Sequence, residues 1–301
     1  EAIGIGVMTG TDNTGIGRQA GSDLTSGNYN VMMGFRAGYN ATTAENTVAI
    51  GKQAIGLGVL TGDRNIGIGQ LAGYDLTSGT ANFFGGYNAA GNATTANYGI
   101  AIGYSTIGVG VMTGTDNTAI GRQAGNDLTS GTYNVMMGYR AGYNATTSDG
   151  TIAIGRSAIG AGVLTATGNI AIGENAGDDL TSGGYNVFAG YTAGYNATTG
   201  VNNVGIGQNA FGIGILTGNY NVAVGPSCGY DLTSGASNVF VGYQAGANAT
   251  TSENTVAIGK EAIGTGVLTG ADNIAIGFQS GKDLTSGAKN IFLGYRAGEN
   301  A

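Results

Sequence analysis

The chain has 301 residues, of which 42% are apolar, 61 are glycine and one is proline, and its 18 acidic and 11 basic side chains leave a net charge of −7. Cations so few and so scattered exclude the basic stripe that nucleic acid requires, and a lone proline without a Gly-X-Y period excludes a collagen helix. Regularly patterned apolar residues exclude disorder, and no apolar run reaches the eighteen or so residues of a membrane-spanning helix, so no membrane insertion is expected.

The first residues, Glu1-Ala2-Ile3-Gly4, enter part-way through a pattern seen in full at Glu261-Ala262-Ile263-Gly264, and Glu299-Asn300-Ala301 stops before an expected Thr-Thr. Both ends read as those of a piece of a longer repetitive chain. Nothing at Glu1 resembles a signal peptide. Asp-Leu-Thr-Ser-Gly then begins at Asp23, Asp75, Asp127, Asp179, Asp231 and Asp283, a constant interval of 52 residues. The copies run 1–52, 53–104, 105–156, 157–208, 209–260 and, cut short, 261–301. Within each copy a glycine that closes an apolar triplet recurs three times, as Gly17, Gly34 and Gly51 and then Gly69, Gly86 and Gly103, in steps of 17, 17 and 18. The structural unit is therefore a rung of about seventeen residues that buries its apolar side only against its neighbours, and residues 1–301 form one elongated repeat domain.

The rung from Asn169 to Tyr185 reads as strand, turn, short strand, turn. Ile170 and Ile172 share one face of the strand, Ala171 and Gly173 the other, and the glycines supply the left-handed corners. Glycine is too frequent for a helix, and no i, i+3, i+4, i+7 spacing is sustained. A six-bladed β-propeller would need four unlike strands per copy, whereas each copy divides into three similar pieces. The expected fold is all-β, a parallel β-solenoid of about 17 rungs with a 52-residue superrepeat of three, forming a rod on the order of 80 Å long at ~4.8 Å per rung.

The middle rung of each copy carries Met32, Phe84, Met136, Phe188, Phe240 or Phe292 where the flanking rungs carry Ala or Gly. A strand apolar on both faces is covered on both. One cover is the chain's own coil, and these six residues are the candidate interface with further copies of the chain, most simply in a homotrimer. The alternative is that they fill the inside of one coil.

Asn-Thr-Val-Ala-Ile-Gly at Asn46 to Gly51, and again at Asn254 to Gly259, resembles the head signature of trimeric autotransporter adhesins of the YadA-like type. Asn-Val-Phe-Val-Gly-Tyr-Gln-Ala-Gly at Asn238 to Gly246, followed by Ala-Asn-Ala-Thr-Thr, is similar to repeats of phage tail fibre shafts. The resemblance implies a trimer of left-handed parallel β-rolls. It also implies an extracellular place, on a virion tail or a cell surface. Rungs longer than the adhesin's, the strict three-rung superperiod and the lack of a heptad stalk or membrane anchor separate the chain from the adhesin head.

The remaining motifs point to little chemistry. Gly15-Ile16-Gly17-Arg18-Gln19-Ala20 fits a dinucleotide fingerprint but lacks the helix that a phosphate cradle requires. The aspartates Asp23, Asp75, Asp127, Asp179, Asp231 and Asp283 are read as structural turn residues whose carboxylates accept backbone N–H bonds, not as calcium ligands, since copies about 14 Å apart cannot share an ion within one chain. With no histidine and one cysteine, Cys228, at a position that is Ala or Ser in other copies, no catalytic constellation forms and the chain is expected not to be an enzyme, with no cofactor and no metal. Thr9, Thr25, Thr42 and Thr43 and their equivalents suggest a threonine ladder, and each Asn-Ala-Thr, as at Asn40 and Asn248, is formally a glycosylation acceptor whose asparagine serves the turn.

The expected function is the shaft or head of a homotrimeric extracellular fibre, a viral tail fibre or surface adhesin giving reach, rigidity and multivalent attachment. Its partner is itself, with a host-cell receptor or glycan engaged through regions outside this segment. The alternatives are a filament that assembles end to end and an ice- or surface-binding solenoid that uses the threonine ladder.

Overall fold

The computed structural model describes residues 8–301, so Glu1-Ala2-Ile3-Gly4 lies outside the described residues. Among the described residues the fold is all-β, a solenoid of about 16 turns built on 17 parallel strands. Its contacts gather into two compact units, residues 1–150 and 151–301.

Every strand has three residues. The first unit holds β1 (Thr14–Ile16), β2 (Val31–Met33), β3 (Val48–Ile50), β4 (Ile66–Ile68), β5 (Phe83–Gly85), β6 (Ile100–Ile102), β7 (Thr118–Ile120) and β8 (Val135–Met137). The second holds β9 (Ile152–Ile154), β10 (Ile170–Ile172), β11 (Val187–Ala189), β12 (Val204–Ile206), β13 (Val222–Val224), β14 (Val239–Val241), β15 (Val256–Ile258), β16 (Ile274–Ile276) and β17 (Ile291–Leu293). Pairing is in register from coil to coil, so Ala171 sits beside Phe188, Phe188 beside Gly205 and Gly205 beside Ala223.

The middle residue of each strand points inward. Met32, Phe84, Met136, Phe188 and Phe240 are at most 1% exposed within a single chain, and so are Ala49, Ala101, Ala153, Ala171 and Ala257. The expected subunit-interface residues are thus core residues, which is a correction. Phe292, the sixth, is half-buried in β17 and points to the same side. The outward positions are the first and third residues of each strand, mostly Val and Ile, as in the buried-middle pattern of β10 to β16. The reason is volume. A seventeen-residue coil encloses a narrow interior in which a bulky strand residue needs a small one at the facing corner, and two columns of Ile would overfill it.

That limit accounts for the superperiod of three. In the coil of β10 the interior holds Ala171, Gly177 and Leu180; in that of β11, Phe188, Gly194 and Ala197; in that of β12, Gly205, Phe211 and Leu216. A Cβ on Gly194 would come within 2.6 Å of the Phe188 ring, and a Cβ on Gly205 within 2.9 Å of Phe211. Where the strand carries the bulk, as at Phe188, the corner is glycine; in the first rung of a copy strand and corner are both small and a leucine such as Leu180 fills the space. In the third rung, where the strand is again small, the corner carries Phe211 or, in other copies, Ile55, Ile107, Ile159 or Ile263. Those five corner side chains hold left-handed φ values of 45° to 52°, an unfavourable conformation for a β-branched residue, and burial of the side chain offsets it. Phe188 and Phe211 meet edge to face at 6.5 Å, which joins successive levels.

A column of buried asparagines runs beside the strands. Asn186 donates from its side chain to Asn169 Oδ1 at 3.2 Å and to Gly200 O at 2.8 Å, and its own Oδ1 accepts from the backbone N–H of Asn203 at 2.9 Å. The column continues unbroken through Asn169, Asn186, Asn203, Asn221 and Asn238. In other copies the third rung interrupts it with Thr47, Gly99, Thr151 or Thr255. Replacing Asn186 by leucine leaves the Gly200 carbonyl and the Asn203 N–H without these partners in a buried place, and is expected to destabilise the fold by about 3 kcal/mol. Chemical denaturation reads this as a lower midpoint at unchanged slope.

Candidate interaction surfaces

The corners and the outward strand face are the surfaces the fold leaves open. The aspartate corners lie where the sequence puts them, but they close differently. Leu76 N–H donates to Gly73 O at 3.1 Å and Leu180 N–H to Gly177 O at 3.2 Å, so the backbone makes the turn. Among the described residues no backbone N–H donates to the carboxylate of Asp23, Asp75, Asp127, Asp179, Asp231 or Asp283, which corrects the expected side-chain cap. Burial instead pushes the pKa values of Asp75, Asp179 and Asp231 upward. No group of three or more potential metal ligands gathers among the described residues.

Asp178 is the most enclosed of the carboxylates that titrate abnormally, at 8% exposure. Burial and the neighbouring Asp179 raise its pKa above the ordinary 3.8, against the opposing hydrogen bonds from the Gly160 and Ala161 N–H groups. A folded-state pKa above the unfolded one means that the native state binds the proton more tightly. This contribution to stability is present at low pH and is lost as pH rises through the raised value. Asp178→Asn, which places there the residue that copy three carries as Asn126, is expected to be more stable than the parent at pH 7. It should also flatten the decline in stability just above pH ~4, as thermal melts across that range would show.

The threonines of the Asp-Leu-Thr corner are used within the coil stack. Thr25 Oγ1 donates to Thr42 O at 2.9 Å, Thr77 to Thr94 O at 2.9 Å and Thr233 to Thr250 O at 3.0 Å. The asparagines of Asn-Ala-Thr behave alike, with Asn40 Nδ2 donating to Leu57 O at 2.6 Å and Asn248 Nδ2 to Thr265 O at 2.8 Å. Both side chains fasten one coil to the next. Cys228 is wholly buried and its thiol is pushed up to about 12 by burial, so it carries no nucleophile at neutral pH.

The outward strand face differs in kind. The 17 strands offer two outward positions each, and none of these carries a charge; apart from Thr14 and Thr118 all are apolar. In the second unit Ile172 is 44% exposed, Ile206 42%, Ile258 37% and Ile276 40%. Their parallel, in-register stacking makes two columns per unit, mostly of β-branched side chains, with nothing laid over them. A second apolar ridge comes from the eighteen-residue rungs, where the extra residue makes Ile213 and Gly214 both donate to Tyr230 O and turns Ile213 and Ile215 outward. Sequence reading placed the apolar strand faces but inverted them, and it passed over the asparagine column, although Asn recurs at one place before most of the strands.

Compared with models of known protein families and with curated proteins, the chain matches none.

Proposed function

We propose that this chain is a structural segment of a homotrimeric extracellular fibre, of the kind that forms a virion's tail fibre or a cell-surface adhesin. In it, three parallel copies turn their Val and Ile columns toward a common axis. The observation that carries this reading is the outward face, uncharged on every strand and apolar at all but Thr14 and Thr118, in a chain whose charged side chains are kept to corners and loops. Apolar β-branched columns left in water favour association, and a face with the same chemistry at every level is self-complementary to further copies of itself. The number three follows the resemblance to trimeric fibres. Burying these columns would stiffen each shaft, and three shafts would present terminal binding regions together, so that weak contacts act in concert.

Light scattering on the folded chain tests it. The expected mass is three times 29.7 kDa, independent of concentration. A monomer would overturn the reading, and a mass that grows with concentration would favour end-to-end assembly instead.

A further inference from the structure

One corner position carries Tyr39, Tyr143 and Tyr195 in copies one, three and four. Tyr39 and Tyr143 lie under Arg36 and Arg140, whose guanidinium carbons are 5.0 and 4.8 Å from the ring centres. In copy five the tyrosine is Ala247 and the arginine is Gln244. Where the ring is missing, the second unit has a cavity of 470 Å³, lined by Asn209, Ser227, Tyr230, Asp231, Gln244 and Asn248 among others. Copy two also lacks the tyrosine, having Gly91, but there the Asn88 side chain folds in so closely that a Cβ on Gly91 would meet its Oδ1 at 2.1 Å.

The lining specifies the ligand. Asp231 brings a carboxylate to the lining that no donor of the protein bonds: Oδ1 is shut off from solvent and unpaired, and Oδ2 is left accessible to accept from a ligand. Asn209, Ser227, Tyr230 and Gln244 bring amide and hydroxyl groups to the same cavity. No Lys or Arg lines the cavity, so nothing there balances an anion. The single carboxylate is too few for a divalent cation's oxygen cage. Tyr230 packs directly on the backbone, since a Cβ on Gly212 would touch its ring at 2.4 Å, so the ring forms a fixed wall. A rigid aromatic wall with a hydroxyl-hungry acceptor and neutral polar groups suits a compact, uncharged ligand rich in hydroxyls.

We propose that this cavity binds a neutral saccharide, whose hydroxyls donate to Asp231 and whose C–H face lies on Tyr230. The site belongs to one chain, so it does not depend on the trimeric reading. Saturation-transfer NMR on the full chain, with D-glucose, D-galactose and N-acetyl-D-glucosamine as probes, tests it. Transfer to at least one sugar is expected, with millimolar affinity. Ala247→Tyr, which restores the side chain of three other copies and so preserves the fold, should abolish it, and Asp231→Asn should weaken it about tenfold through the lost charged acceptor. No transfer to any of the three sugars, or transfer undiminished in either folded variant, would overturn the proposal.

Discussion

If the parent is the proposed trimer, a chain carrying Ile206→Lys and Ile258→Lys is expected to run as a 29.7 kDa monomer, at one third of the parent's mass. Both side chains sit on the outward face, 42% and 37% exposed in the isolated chain, so in a single coil each lysine can reach water and the fold is retained. In a trimer with the Val and Ile columns on the axis, each substitution brings three ammonium groups together in an apolar seam. The desolvation of an unpaired charge amounts to several kcal/mol per ion. Far-ultraviolet dichroism unchanged from the parent, together with a threefold fall in mass, is the predicted pair of results. A double variant that keeps the parent's mass would place the seam elsewhere, and the ridge of Ile213 and Ile215 would be the next face to charge.

Gly190→Ala is expected to destabilise the second unit by about 3 kcal/mol or more, the largest effect of any single methyl group considered. Gly190 follows β11 at φ 141°, a region open essentially to glycine alone. Its missing Cβ would stand 2.5 Å from Gly207 O and 2.7 Å from Gly207 C in the neighbouring coil. Backbone meets backbone at that level, so no side chain can yield. The coils would have to separate, stretching the 2.8 Å bond from Gly190 N–H to Ile172 O and its counterpart from Gly207 N–H to Ala189 O. Gly150→Asn is the matching control. It has φ 59°, its Cβ would meet nothing within 4 Å, and other coils hold asparagine at the same place, Asn46 and Asn254, at φ 54° and 51°. That change is expected within about 0.5 kcal/mol of the parent. Equal losses from the two variants, measured by thermal denaturation, would remove close coil contact as the cause.

These contrasts also show how far the repeat pattern alone carries. The interval of 52 residues, the three glycine-closed triplets within it and the absence of any helical spacing determined a parallel β-solenoid, because a short fixed period leaves each unit only its neighbours to pack against. Period-two alternation determined that strand neighbours such as Ile170 and Ala171 face opposite ways. It could not determine which face was inside, since both are apolar and periodicity has no sign. That choice depends on the width of the closed coil, a tertiary quantity: it admits Phe188 only beside Gly194 and Phe211 only beside Gly205. Closure likewise decided what completes the aspartate corners, because Leu180 N–H finds Gly177 O in the folded turn and the carboxylate is left over. The Asn186 bonds and the space beside Ala247 are of the same kind. Each arises between residues 14 or more apart in sequence that meet only when one coil is laid on the next. The sequence by itself determined the repeat, the strands and their parallel stacking; the tertiary structure decided inside from outside, because only the closed coil sets the volume each side chain must fill or vacate.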